Sequence, residues 1–214
     1  MGESIMLNAV VHNFQDQLEY SAQLSDESAW VSFYKRLWPD MIAAVRIDKN
    51  SQFQKWGIDR EILLPNGKRF SIDEKKRTKD WGDILLEEWS VADFDYETKK
   101  VKGKKIGWAL DSEKRCDFVA YSIPDAGKCF LLPFELTRQT FKANLTVWKA
   151  KGPAWYPKPA RNEGYITINV AVPYDVFKAA LWQQMHRAFG DAIPLPLMTR
   201  ETPQLGLFQY GSAA

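Results

Sequence analysis

Cysteine and histidine are scarce: two of each stand among 214 residues. Cys116 and Cys129 lack the paired spacing of a metal site, so they are expected to be reduced thiols of the core. His12 and His186 stand alone, which excludes a histidine-built metal centre. A dominant charge is also missing. With 29 basic and 27 acidic residues the net charge is +2, so any footprint for a polyanion must come from local clustering. No apolar run approaches a membrane span. The N-terminal stretch MGESIMLNAVVHNF has no basic segment leading into a long apolar one, which argues against a secretory signal. No internal repeat is found. These absences leave a cytoplasmic globular protein without membrane contact as the expectation.

The composition, 45% hydrophobic and 14% aromatic, is sufficient for a packed core. The expected organisation is one domain over 1–192, followed by a Pro-rich linker and tail over 193–214. In chain order, 13–24 reads as a short helix. Ser25 to Ser28 is an N-cap cluster opening a second helix to about Val45, with Trp30, Phe33, Tyr34, Leu37 and Trp38 as its stripe and Pro39 as a bend or an end. After a hairpin over 57–77, residues 83–91 form a continuous apolar run that predicts a buried strand. Residues 93–105 read as an exposed basic loop and 106–110 as a short strand. Residues 116–123 and 128–133 make a hairpin around Pro124 to Gly127. Residues 135–148 predict a helix, 149–162 a loop, 165–172 a strand and 174–189 an amphipathic helix. Helices around a block of strands give an α/β or α+β class.

The stretch from Gly57 to Arg77 carries the chemistry. Pro65-Asn66-Gly67-Lys68 is turn sequence between two strands. Side chains alternate along a strand, so Asp73 and Lys75 leave the same face. Asp59 lies on the partner strand. Two carboxylates and an ammonium are what a hard divalent cation and a phosphate substrate require: the ion takes one or two carboxylates plus water and phosphate oxygens, and the lysine orients water or offsets phosphate charge. An acid two positions before a lysine is a weak pattern alone; Glu74-Lys76 and Glu97-Lys99 also match it. Register sets a condition. A strict two-residue turn at Asn66-Gly67 places Asp59 opposite Glu74, on the wrong face. Convergence needs a three- or five-residue loop or a bulge.

A helix, then GID on one strand, a turn, IDEK on a second strand and a third strand resembles the PD-(D/E)XK nuclease superfamily, over roughly 16–141. That resemblance implies a restriction-endonuclease-like central mixed sheet flanked by helices. It also implies Mg²⁺ or Mn²⁺ as cofactor, Asp59 and Asp73 as metal ligands, the Glu74 backbone carbonyl as a further ligand, and Lys75 as the catalytic lysine. Gly57-Ile58 stands where the motif has proline. Glu19, Gln54 and Glu87 are candidate additional site residues. The implied activity is a metal-dependent phosphodiesterase acting on DNA.

Lys76, Arg77, Lys79, Lys102 and Lys104 are candidate phosphate contacts, and the segments around Trp148 and Trp155 mix cations with rings that could stack on bases. The alternative is that these are solvated loops and packing residues. In the tail, Gln204, Leu205, Leu207 and Phe208 are similar to the QLxLF peptide that docks bacterial replication proteins on the DNA-polymerase sliding clamp, an extended-peptide mode of recognition. The setting implied is the cytoplasm of a bacterial or phage-infected cell. The competing expectation is an inactive protein of nuclease fold that binds DNA or the clamp, such as a phage-type inhibitor.

Overall fold

The computed structural model describes residues 27–48 and 51–190. The expected helix over 13–24, with Glu19, and the clamp-like peptide with Gln204, Leu205, Leu207 and Phe208 lie outside the described residues.

Helix α1 spans Glu27–Leu37. Its stripe of Trp30, Phe33 and Tyr34 is buried, as the spacing predicts. The expected continuation to Val45 is overturned. The last helical turn closes with the Trp38 amide on the Tyr34 carbonyl, 2.8 Å. Pro39, which has no amide hydrogen, follows it. Ala43–Arg46 is instead strand β1, paired antiparallel with the next strand. A short helix α2, Gln52–Lys55, leads into β2, Arg60–Leu63, and β3, Arg69–Lys76. Strand β4 runs Asp83–Phe94 and β5 runs Val101–Ile106. Strands β6, Phe118–Ile123, and β7, Lys128–Pro133, form the expected hairpin. Helix α3, Phe134–Lys149, is followed by β8, Lys158–Asn162, β9, Tyr165–Pro173, and helix α4, Tyr174–Phe189.

The class is mixed α+β, built on two sheets. One has the order β1-β2-β3-β6-β7, antiparallel except for the parallel pair β3 and β6; the other is antiparallel, in the order β5-β4-β9-β8. The buried run that begins at Asp83 therefore leaves the first sheet for the second. Helix α1 covers one face of the first sheet, packing Trp30, Phe33 and Tyr34 on Ile62, Ile72, Ala120, Cys129 and Leu131. The opposite face, with Val119, Tyr121, Ile123 and Leu132, packs on Leu86 and Val170 of the second sheet and on Phe141 and Phe177 of the last two helices. Burying each such aromatic or branched side chain contributes about 1.5–3 kcal/mol. Both cysteines are free and buried in these cores, as their spacing implies.

Two further expectations change. The basic stretch at 93–105 is not a loop. Strand β4 continues to Phe94, the Asp95 carboxylate closes a turn by accepting from the Glu97 and Thr98 amides at 2.8 and 3.1 Å, and the chain returns as β5. The lysines hide a period of two in which Gly103 faces Trp89. The expected strand at 106–110 is a turn beyond Ile106, and the expected loop at 149–162 ends in β8.

Candidate functional site

The turn between β2 and β3 decides the site. Gly67 donates to the Leu64 carbonyl at 3.0 Å, and Leu64 donates to the Lys68 carbonyl at 2.9 Å. Pro65-Asn66-Gly67 is thus a three-residue loop, with Gly67 at φ +77°, a backbone state that glycine adopts without a Cβ clash. Ile72 pairs with Arg60 and Phe70 with Ile62. One step further, the Asp59 amide donates to the Ile72 carbonyl at 2.8 Å, and the Asp59 carboxyl group falls on the side of Asp73, while Glu74 faces away with Arg60. The wider loop satisfies the condition set by the sequence.

Asp73 and Lys75 leave the same face of β3, and the Lys75 ammonium donates to Asp73 Oδ1. Asp73 is 1% exposed, and its other oxygen, Oδ2, is buried without a hydrogen-bond donor. The Asp59 carboxyl group is within hydrogen-bonding reach of Asp73. It is oriented by Gln54 Nε2, which donates to Oδ1 at 2.9 Å, and by the Glu74 amide, which donates to Oδ2 at 2.8 Å. Gln54, a candidate through the family resemblance, thus lies against Asp59.

The two carboxyl groups titrate apart. Burial pushes Asp73 up, Lys75 opposes it, and the neighbouring Asp59 adds to the rise; the result is about 7. Burial also raises Asp59, but Lys75 and the hydrogen bonds outweigh it and hold that group below its ordinary value. For Lys75, burial acts downward, and Asp73 and Asp59 more than compensate. It stays an ammonium, suited to offsetting charge rather than to acting as a free base. Two adjacent carboxylates need a proton or a cation between them.

Glu87 belongs to the same neighbourhood. Burial raises its carboxyl group, opposed by the Trp108 amide, which donates to Oε1 at 3.2 Å, and by Lys75. The chain approaches so closely here that a Cβ on Gly107 would lie 2.3 Å from the Glu87 carbonyl oxygen. The Lys75 ammonium also lies 6.0 Å from the centre of the Trp108 ring. Trp108 has no sequence signature; it arrives through the fold of the segment before β6.

Other expected residues lie elsewhere. The Glu74 side chain points to the α1 face, accepting from Arg60 Nε at 2.6 Å and Tyr34 hydroxyl at 3.0 Å, so only its backbone borders the site. Lys76, expected at an open phosphate surface, shares that face, with its ammonium 5.6 Å from the Trp30 ring. Arg77 is occupied with the Asp83 carboxylate and backbone carbonyl, tying the end of β3 to the start of β4. Lys79 is exposed beside Trp81 and Asp125. Lys102 is exposed on β5, and Lys104 pairs with Asp93 at 2.5 Å on the same arm. Of the rings expected to stack on bases, Trp148 is in the core.

Among the described residues no group of three or more His, Cys, Asp or Glu side chains could hold a metal ion. Asp59 and Asp73 alone still meet the requirement of a Mg²⁺-type ion, which takes one or two carboxylates and completes its shell with water and phosphate. The undonated Oδ2 of Asp73 fits that role. Comparison with family models, curated proteins and solved structures finds no match. Function must therefore be argued from these side chains.

Proposed function

We propose that the protein is a Mg²⁺- or Mn²⁺-dependent DNA nuclease of restriction-endonuclease-like fold. The observation that carries this reading is the Asp59 carboxyl group within hydrogen-bonding reach of Asp73 beside Lys75, with Asp73 Oδ2 undonated. Asp59 and Asp73 would hold the ion, with the Glu74 carbonyl at its border. When bound, the ion supplies Lewis acidity to a phosphodiester oxygen and acidifies water. Gln54 fixes the Asp59 rotamer. Lys75 stays charged at neutral pH, donates to water or phosphate, and offsets the charge that develops on phosphorus.

Incubation with linear, circular and branched DNA in Mg²⁺ or Mn²⁺ tests the reading. Cleavage by the wild type and not by Asp73→Ala supports it; equal product from both removes it.

The burial of Asp73 at 1% exposure, already paired with Lys75, favours a second reading. It is an inactive protein of the same fold that binds DNA or the sliding clamp. DNA binding without cleavage in either ion decides for it. In both readings the tail residues Gln204, Leu205, Leu207 and Phe208 dock on the clamp, in the cytoplasm of a bacterial or phage-infected cell. Loss of clamp pull-down in Leu207→Ala and Phe208→Ala supports the docking, and unchanged pull-down discards it. Among the described residues no helix is long and apolar enough to cross a membrane.

A further inference from the structure

The segment from Gly107 to Asp117 crosses beside the acidic pair and is fastened on both sides. The Arg115 amide donates to the Trp56 carbonyl at 2.8 Å, and its guanidinium lies 4.9 Å from the Trp56 ring centre. The Asp117 amide donates to the Ser71 carbonyl at 2.9 Å, and its carboxylate accepts from the Ser71 amide at 2.7 Å. Immediately before these ties, the Lys114 side chain runs across Gly57, two residues before Asp59. A Cβ on Gly57 would lie 2.7 Å from Lys114 Cδ and 3.4 Å from its ammonium. Gly57 also sits at φ +73°, a state strained for other residues. The Lys114 ammonium makes one long bond, 3.3 Å to the Lys55 carbonyl, and no ion pair among the described residues. Burial dominates the titration of Glu87 and Cys116, and the Lys114 charge opposes it at both, so it is felt in the neighbourhood of Lys75.

We propose that Lys114 is a phosphate-contacting residue of this site, anchoring the phosphate next to the one attacked. The inference rests on the nuclease reading and deepens it. Lys75 is committed to Asp73, whereas Lys114, which crosses Gly57 two residues before Asp59, has no carboxylate of its own among the described residues. A substrate that uses both carries at least two phosphates, which selects an oligonucleotide over a mononucleotide.

The test is binding of a fluorescein-labelled DNA oligonucleotide in Ca²⁺ across a salt series, together with kcat and KM in Mg²⁺. One phosphate contact contributes about 0.7 to 0.9 to the slope of log affinity against log salt. Lys114→Ala and Lys114→Gln are expected to lose about that slope and about tenfold in affinity. KM should rise more than kcat falls, and Lys114→Arg should restore the slope. Circular dichroism establishes that each variant is folded, and the glutamine variant preserves the packing on Gly57. Unchanged affinity and slope in both neutral variants overturn the inference; the nuclease reading survives that result if Asp73→Ala still abolishes cleavage. A wild type that neither binds nor cleaves the oligonucleotide overturns both.

Discussion

Replacing Asp73 by asparagine should remove a large pH dependence of stability. The carboxyl group moves from its ordinary value of 3.8 to about 7 on folding, chiefly because burial disfavours its charge. The folded protein therefore holds this proton more tightly than the unfolded chain does. The stabilisation is complete below about pH 4, and it is lost as pH rises through about 7. A rise of roughly three pH units corresponds to about 4 kcal/mol. Lys75 stays protonated throughout this window, so its attraction is already contained in that value. Asparagine keeps the shape and an acceptor for Lys75 but cannot ionise. Urea unfolding followed by tryptophan fluorescence from pH 4 to 8 measures the difference. The stability of Asp73→Asn relative to wild type should climb by up to about 4 kcal/mol across the range, whatever constant term the lost ion pair adds. On the proposed nuclease reading, a divalent ion would take the proton's place at pH 8. Mn²⁺ at a hundredfold its dissociation constant should stabilise the wild type by about 2.7 kcal/mol and leave the variant unchanged. Parallel pH profiles would refute the buried protonated carboxyl group. An absent Mn²⁺ effect on the wild type would refute the metal site.

Three further outcomes test the surrounding structure. Glu74→Leu removes the carboxylate paired with Arg60, which is 0% exposed, so urea unfolding should register a loss of about 3–5 kcal/mol. Gly103→Ala drives a Cβ to 2.1 Å from the Trp89 ring; repacking should lower stability by about 1–3 kcal/mol, read as a fall in melting temperature. Lys104→Ala breaks only an ion pair whose two side chains are more than half exposed, and its unfolding midpoint should stay within the error of the wild type.

What could be read from the sequence follows the range over which each signal acts. The amphipathic helices at α3 and α4, the hairpin of β6 and β7, and the strand at β9 are set by local periodicity and turn chemistry, and all were legible. Strand β1 was hidden because its short sequence, Ala43 to Arg46, follows a helix pattern without a gap; only pairing with β2 makes it a strand. Strand β5 was hidden by its lysines, which read as solvated loop until Gly103 is seen to receive the Trp89 ring. Among site residues, Asp73 and Lys75 share a face through a period of two, which sequence states directly. Lys114 and Trp108 come from a segment about 40 residues downstream of Asp73, fixed by backbone ties to Trp56 and Ser71, and no local pattern announces them. Lys76 failed in the other direction. A lysine one step past Lys75 must face the opposite side, and that side is covered by α1.

The two faces of β3 explain one another. Asp59 and Asp73 meet on one face only if the strands pair in a single register, and a slip of one residue would separate them. On the other face Arg60 and Glu74, each the next residue along its strand, form a buried ion pair that Tyr34 of α1 completes. A buried pair adds little net stability over an apolar substitute, because desolvation consumes most of the attraction. Breaking it is costly, however, and a slipped register would break it by turning one partner into the acidic site. The Arg60–Glu74 pair therefore penalises the pairing that would pull Asp59 away from Asp73. The three-residue loop makes the productive register accessible, and the ion pair beneath α1 makes the competing register expensive. Glu74, whose backbone carbonyl the family resemblance implies as a further metal ligand, serves the acidic pair most directly through its amide on Asp59 and through its side chain on Arg60.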